Sequence, residues 1–304
     1  MKGLVTKSTG SWYNVFAEGK IYECRIRGKL RLAEIKETNP VTVGDTVEFE
    51  IEEGSHVITK VLPRKNQMLR QSVKKTGHSN LLATNIDQAV LIATIQKPRT
   101  SLGFVDRFLV SAEAYRIPQV LVFNKLDLLD DDGILSVRDL KIRYEKVGAK
   151  VISASAIRNQ GIDELRRHLE GKTSLLTGHS GAGKSTLLNK LSPGLNQYTR
   201  EISGYSEKGT HTTTFAEMFA LNERTFVIDT PGIKEWGLVD MTQQEISDYF
   251  PEMRDLRLQC KFGSKCLHIK EPGCAVRPAV ENGVIAKSRF ESYLSMVEGK
   301  DNRR

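Results

Sequence analysis

Cysteine is scarce in this chain: 304 residues carry four, and three of them fall between Cys260 and Cys274. So few cannot make a disulfide-rich scaffold, and three within so short a stretch suit a metal better than bridges. Long apolar runs are missing too. The longest aliphatic stretch, Ala89 to Ile95, is far short of the roughly 20 residues a membrane span needs. Met1-Lys2-Gly3 leads into no apolar signal core. A soluble, cytoplasmic protein with no membrane association is expected. A wholly disordered chain is excluded by the 39% hydrophobic content and the modest net charge of +8. Cores stop growing near about 250 to 300 residues, so two or three units in series are expected.

The positive charge sits at the two ends. Residues 1–75 carry 14 basic and 9 acidic side chains, residues 76–250 carry 20 and 21, and residues 251–304 carry 11 and 7. A near-neutral middle therefore has two basic flanks, the pattern of a protein whose ends meet a polyanion.

The first 65 residues hold five short alternating runs: Gly3 to Lys7, Trp12 to Ala17, Lys20 to Ile26, Asp45 to Ile51 and His56 to Leu62. Turn residues separate them, which predicts a small antiparallel barrel of OB type. Through it runs the alternation Arg25, Arg27, Lys29, Arg31. Period-2 spacing would set these cations on one strand face as candidate RNA contacts, or as an ordinary charged edge. From Asp87 onward the pattern changes. Apolar strands at Gln88–Ile95, Gln119–Phe123, Lys150–Ala154, Thr173–Thr177 and Thr225–Ile228 alternate with amphipathic helices at Phe104–Arg116, Ser136–Val147, Ile162–Leu169 and Lys184–Leu191. This predicts a parallel sheet covered on both faces. Beyond Phe250 the chain reads as helical.

Gly178-His179-Ser180-Gly181-Ala182-Gly183-Lys184-Ser185 matches G-x-x-x-x-G-K-[ST] at every fixed position, between a strand and a helix. Glycines permit the tight turn that aims backbone N–H groups at phosphates, and the helix N-terminus adds partial positive charge. Lys184 would contact the β/γ-phosphates and Ser185 would ligate Mg²⁺, and Gly178 through Thr186 are together the candidate nucleotide-binding residues of this loop. Phe123-Asn124-Lys125-Leu126-Asp127 follows a predicted strand and resembles the N-K-x-D motif of GTPases. Asp127 can accept both guanine N1–H and N2–H₂, whereas adenine offers no such donor pair. Asn124 would secure neighbouring loops and the base edge, and the Lys125 stem would cover the ring face. Ser153-Ala154-Ser155 resembles the third base-side element, S-A-K, with Ser155 in place of the lysine, so only Ser153 and the Ala154 backbone are carried over.

Asp229-Thr230-Pro231-Gly232 resembles the D-x-x-G element, in which Asp229 would hold Mg²⁺ through water and the Gly232 N–H would sense the γ-phosphate. In the upstream run Gly209-Thr210-His211-Thr212-Thr213-Thr214, either Thr213 or Thr214 is expected to ligate Mg²⁺. The run also reads as a Thr-rich edge strand.

Ras-like GTPases run phosphate loop, switch I, D-x-x-G, N-K-x-D, S-A-K. Here Asn124 and Ser153 precede Gly178, Thr213 and Asp229, a circular permutation. With the N-terminal barrel and the C-terminal Cys/His cluster, the whole chain resembles the RsgA (YjeQ) family of small-ribosomal-subunit biogenesis GTPases. That resemblance implies a multidomain protein. Residues 1–70 would form an OB-type RNA-binding β-barrel, residues 71–240 a circularly permuted α/β P-loop GTPase domain, and residues 241–304 a mainly helical zinc-binding domain. It also implies GTP and GDP as ligands with Mg²⁺, the small (30S) ribosomal subunit and 16S rRNA as partners, and hydrolysis stimulated by that subunit. A monomer is expected. Ile233 follows Gly232 where many GTPases carry the Gln that orients attacking water. A switch-loop imidazole can accept a water hydrogen bond near neutral pH, so His211 is the candidate catalytic group, or a residue that only packs within its loop.

Cys260-x₅-Cys266-x-His268-x₅-Cys274 offers three thiolates and one imidazole, a closed tetrahedral set of the kind that binds one structural zinc. Cys24 lies far away and is expected to be a small core residue.

Overall fold

The computed structural model describes residues 1–28, 40–52, 54–71, 79–192, 216–229 and 241–299. Its chain divides into two compact units that do not follow sequence order: residues 1–90, 162–178 and 183–235 in one, and residues 91–161, 179–182 and 236–304 in the other. Lys29, Arg31, His211, Thr213, Thr214 and Gly232 lie outside the described residues.

In the first unit, β1 (Lys2–Ser8), β2 (Tyr13–Ala17), β3 (Lys20–Ile26), β4 (Thr46–Glu52) and β5 (Ser55–Val61) form the barrel. Alternation drives it. Tyr13, Val15 and Ala17 of β2 point inward to meet Val5, Cys24, Val47, Phe49 and Ile58. Pairing runs β1–β2, β2–β3, β3–β5, β5–β4 and back through β4–β1, so the barrel is closed. It is not wholly antiparallel as expected. The connection from β3 is long enough to cross over, and β3 and β5 pair parallel. At its far end β1 also bridges β12 (Glu217–Asn222), with Lys7 opposite Glu217. A hairpin unforeseen from the sequence, β6 (Gln67–Gln71) with β7 (Ser79–Thr84), follows the barrel. Buried Asp45 ties the two together, accepting from Arg64 Nε (2.8 Å), the Thr42 backbone (2.9 Å) and the Thr84 hydroxyl (2.8 Å). Gly44 is required here. Its φ is +94°, and a Cβ would lie 2.1 Å from the Thr84 carbonyl.

The same unit holds β11 (Thr173–Gly178) parallel to β13 (Thr225–Asp229), with β12 antiparallel to β13. The expectation of a purely parallel sheet fails at β12 because only a tight turn separates it from β13, too short for a crossover. Helices α3 (Ile162–Leu169) and α4 (Lys184–Leu191) pack together, and Arg166 Nη2 donates to the Lys190 carbonyl at 3.2 Å.

In the second unit, β9 (Gln119–Phe123) pairs in parallel with β10 (Lys150–Ser153). Strand β8 (Gln88–Ala93), whose residues from Leu91 on belong to this unit, is buried along its whole length. Helix α1 (Leu102–Ala114) is capped by the Ser101 hydroxyl, which accepts from the Phe104 N–H. Helix α2 (Asp131–Lys146) is capped by Asp130. The C-terminal part consists of α5 (Gln243–Ile246), α6 (Pro251–Arg257), α7 (Val276–Glu281) and α8 (Lys287–Val297). Its core gathers Phe250, Met253, Tyr293 and Val297 with Val110 of α1. No helix is long and apolar enough to cross a membrane among the described residues.

Candidate nucleotide site and metal centre

Strand β9 delivers Asn124 at its carboxyl end. The Asn124 N–H donates to the Ala93 carbonyl (2.9 Å), its Nδ2 donates to the Ala182 carbonyl (2.9 Å), and its Oδ1 accepts from the Ala156 N–H (3.3 Å). One buried amide thus fixes three segments, including part of the glycine-rich loop. Lys125 follows in a left-handed turn at φ +64°, and its Nζ donates to the Lys97 carbonyl at 2.7 Å. Leu126 is buried and its N–H donates to the Ala154 carbonyl at 3.2 Å. Asp127 is half-buried, and its Oδ1 accepts from the Ser155 hydroxyl. Ser153 ends β10, and the Ala154 N–H bonds the Phe123 carbonyl at 2.8 Å. The two base-side elements are therefore laced to each other. Ser155, not carried over with Ser153 and Ala154, supplies a side chain that meets the Asp127 carboxylate, and Arg158 Nη2 donates to the Asp127 carbonyl at 3.4 Å.

Strand β11 ends at Gly178, and the loop beyond it bends at Gly178, Gly181 and Gly183, all at positive φ. Gly183 is the N-cap of α4, whose Leu187 and Leu188 are buried and hold the helix in place. Ser185 and Thr186 lie exposed on its first turn. The Lys184 ammonium donates to the Gly178 carbonyl at 2.6 Å, closing the loop on itself. Burial lowers its pKa, opposed by the nearby Asp229 carboxylate at the end of β13. Such a lysine has a strong preference for an anionic partner. The His179 ring lies 4.2 Å from that of Phe104 on α1, while Ser180 is exposed.

Cys260, Cys266, His268 and Cys274 converge, all buried, with their ligand atoms within 4.8 Å of one another. His268 Nδ1 lies 3.6 Å from Cys260 Sγ and 3.4 Å from Cys274 Sγ. With Zn–S near 2.3 Å and Zn–N near 2.0 Å, the S···N edges of a tetrahedron are about 3.5 Å, so the set fits zinc. Burial and then the neighbouring thiols push Cys266 up to about 12, against a backbone hydrogen bond that lowers it. Three cysteines so close could all be thiolates only with a cation between them. Burial lowers the His268 pKa, keeping the imidazole neutral as a ligand must be. The surrounding loop is held by Glu271, whose carboxylate accepts from the N–H groups of Leu267, Ile269 and Lys270, and by the Ala275 N–H, which donates to Cys260 Sγ. Zinc would cross-link α6, α7 and the loops between them.

On the barrel, exposed Arg25 lies over the Trp12 ring at 4.1 Å. Arg27 stands beyond the end of β3 and pairs with Glu50 and Glu52, so the two cations do not share one environment. Cys24 is buried in the barrel core.

A family model described as RsgA GTPase matches residues 61–239, and another, RsgA N-terminal domain, matches residues 2–58. The chain belongs to the RsgA GTPase family. Among family members, a small ribosomal subunit biogenesis GTPase RsgA of Bacteroides fragilis is 48% identical over 99% of this chain and 97% of its own length. The RsgA of Cytophaga hutchinsonii is 49% identical with both chains fully covered. Among solved structures, YjeQ from Thermotoga maritima superposes with a TM-score of 0.79 at 37% identity, covering 100% of this chain and 99% of its own. YloQ, described as a circularly permuted GTPase, gives 0.74 at 28%, covering 100% and 96%. The RsgA family thus accounts for the motif order Asn124, Ser153, Gly178, Asp229, and for a GTP-hydrolysing enzyme with an OB-like barrel.

Proposed function

We propose that this GTPase acts on the small (30S) ribosomal subunit, binding its 16S rRNA during late maturation and leaving when subunit-stimulated hydrolysis converts GTP to GDP. The names of its relatives support the substrate. The observation that carries the site is the bond from Asn124 of the N-K-L-D loop to the Ala182 carbonyl of the glycine-rich loop. In this reading Asp127 reads guanine, with Asn124, Lys125, Leu126, Ser153 and Ala154 framing the base. Gly178 through Thr186 wrap the phosphates, and Lys184 neutralises them. Mg²⁺ is held by Ser185, by Thr213 or Thr214, and through water by Asp229, while Gly232 senses the γ-phosphate. One structural zinc sits on Cys260, Cys266, His268 and Cys274. Barrel, GTPase and zinc domains divide at residues 70 and 240, and the protein works as a cytoplasmic monomer.

His211 positions the attacking water in place of the absent Gln. Arg25, Arg27, Lys29 and Arg31 belong to the RNA-facing side. Arg25 on Trp12 makes a cation-backed aromatic, the kind of surface on which bases stack. The permutation joins the Asp229 loop directly to the C-terminal segment, so loss of the γ-phosphate can be passed on to that segment.

The test is GTP hydrolysis by the full chain with and without purified small subunits, across a salt series. Stimulation that fades as salt rises is expected, because phosphate contacts release counterions. His211→Ala should keep GTP binding and lose stimulated turnover. No stimulation in the wild type would remove the ribosomal assignment, and equal subunit affinity with GDP and a nonhydrolysable GTP analogue would remove the release step.

A further inference from the structure

We infer that the first strand of the barrel is the lever by which a partner held on the barrel acts on the nucleotide site, through Lys7 and Phe16. The inference rests on the proposed reading of subunit-stimulated hydrolysis with Asp229 beside Mg²⁺. Three strands lie side by side here, and their register sets one residue of each in a row. Lys7 of β1 stands opposite Glu217 of β12, and Glu217 stands opposite Asp229 of β13. Residues directly opposite in antiparallel pairs share one face of the sheet. The Lys7 ammonium reaches the Glu217 carboxylate at 3.2 Å, and the Asp229 charge in turn acts on Lys184 of the glycine-rich loop. Glu217 opens β12 only three residues after Thr214, so the strand that β1 grips follows the run expected to ligate Mg²⁺.

A second contact lies on the neighbouring strand. Phe16 of β2 alternates with inward-facing Val15 and Ala17, so it points out of the barrel. Its ring meets that of Phe226 on β13, with centroids 6.4 Å apart and planes at 65°. Phe226 precedes Asp229 by three residues on the same strand. At its other side β1 leads into the turn that carries Trp12, whose ring lies under Arg25. The Thr9 N–H donates to the Trp12 carbonyl at 3.0 Å, and Lys7 pairs with Asn14 just below that turn. A load on the Trp12–Arg25 face therefore passes through one short hydrogen-bonded hairpin to Lys7, and from Lys7 to the residue opposite Asp229. Hydrolysis is sensitive to small movements there, since a misplacement of about 1 Å can cost about 100-fold in rate. The Lys7–Glu217 pair itself is partly exposed and adds little to stability, so it can be removed without unfolding the protein.

The test titrates purified small subunits against the full chain and reads GTP turnover for the wild type, Lys7→Ala, Lys7→Arg, and Lys7→Ala combined with Phe16→Ala. At saturating subunits Lys7→Ala should lower turnover by about 2- to 5-fold. The combined variant should lower it by about 10-fold or more. Lys7→Arg keeps the charge and should keep the stimulation. Turnover without subunits, and the subunit concentration giving half-maximal stimulation, should stay at their wild-type values in every variant. Undiminished stimulation in the combined variant overturns the inference. So does a raised half-maximal concentration with full turnover at saturation, which would make Lys7 a contact to the subunit instead. Equal losses with and without subunits would reduce the joint to general support of the fold and overturn it too. A wild type that small subunits do not stimulate would remove the ribosomal reading, and the inference with it.

Discussion

Arg289 Nη1 lies 2.8 Å from Asp106 Oδ1, both side chains almost wholly buried, joining the last helix to α1 across 183 residues of sequence. Glu252 of α6 completes the cluster, its two oxygens at 2.8 Å from Nε and 3.1 Å from Nη2, and the guanidinium packs over the Phe250 ring at 4.7 Å. Burial alone would lower the arginine pKa, but the two carboxylates prevail and raise it, so the cation is permanent. Helix α1 also carries Phe104 against His179. A single helix thus touches the glycine-rich loop and anchors the C-terminal segment.

Removing the cation would leave two carboxylates in a low-dielectric interior. Arg289→Ala should cost about 3 to 5 kcal/mol, read from the denaturant midpoint at constant m-value. Replacing Arg289, Asp106 and Glu252 together with apolar residues of matched volume should recover most of that loss. A midpoint unmoved by Arg289→Ala would show that the cluster adds nothing.

Asp127→Asn exchanges two acceptors for one acceptor and one donor. Guanine then loses a partner for its amino group, whereas xanthine, with a carbonyl there, gains one. GDP affinity should fall by about 10²-fold or more and xanthosine diphosphate should gain correspondingly, measured by competition against a fluorescent nucleotide.

Asp87 gives the fold an acid-sensitive clamp at the start of β8. Burial raises its pKa, but the Lys65 ammonium (2.8 Å), the Thr173 N–H (2.9 Å) and the charge of Lys172 outweigh that and hold it below the ordinary 3.8. A depressed carboxyl contributes stability in full above its unfolded value, and the contribution disappears as pH falls through the folded one. Asp87→Asn should therefore be less stable than wild type at pH 7, by about 1 kcal/mol after solvent screening. The two melting curves should converge below pH 3.8. A gap that persists there would rule out the ionised clamp.

Cys266→Ser should abolish stoichiometric zinc, measured by elemental analysis, and lower the melting temperature. The three cysteines share one core with Phe250, Met253 and Tyr293, so the damage should show in near-ultraviolet circular dichroism of the aromatics. A strong chelator applied to the wild type should give the same spectrum. Unchanged metal content in the variant would refute the assignment.

The elements easiest to foresee were those whose local signal was unopposed. Gln119–Phe123, Ile162–Leu169 and Lys184–Leu191 stand at the bounds their sequence patterns predict, because an apolar run or a glycine-to-lysine boundary defines each end. Helix α2 begins five residues earlier than expected. Asp130 to Asp132 precede the apolar repeat that marks the helix, but they supply an N-cap and two acids suited to the helix dipole. The β6–β7 hairpin was missed since Gln67–Gln71 and Ser79–Thr84 are polar and short of β-branched residues. Within the site, the motifs named Asn124 and Asp127 but not their partners. Ala182 is 58 residues from Asn124 and Ser155 is 28 from Asp127, and no periodicity reports pairings made by tertiary folding.

Strand β1 shares one edge between β4 and β12, and its Lys7 finds Glu217 at 3.2 Å, 210 residues further along. During synthesis at roughly 5 to 20 residues per second, that end of the first strand would wait about 10 to 40 s for its partner. The barrel can close meanwhile through β4, so the earliest-made strand would be held by its near neighbours and joined last to the latest-made sheet.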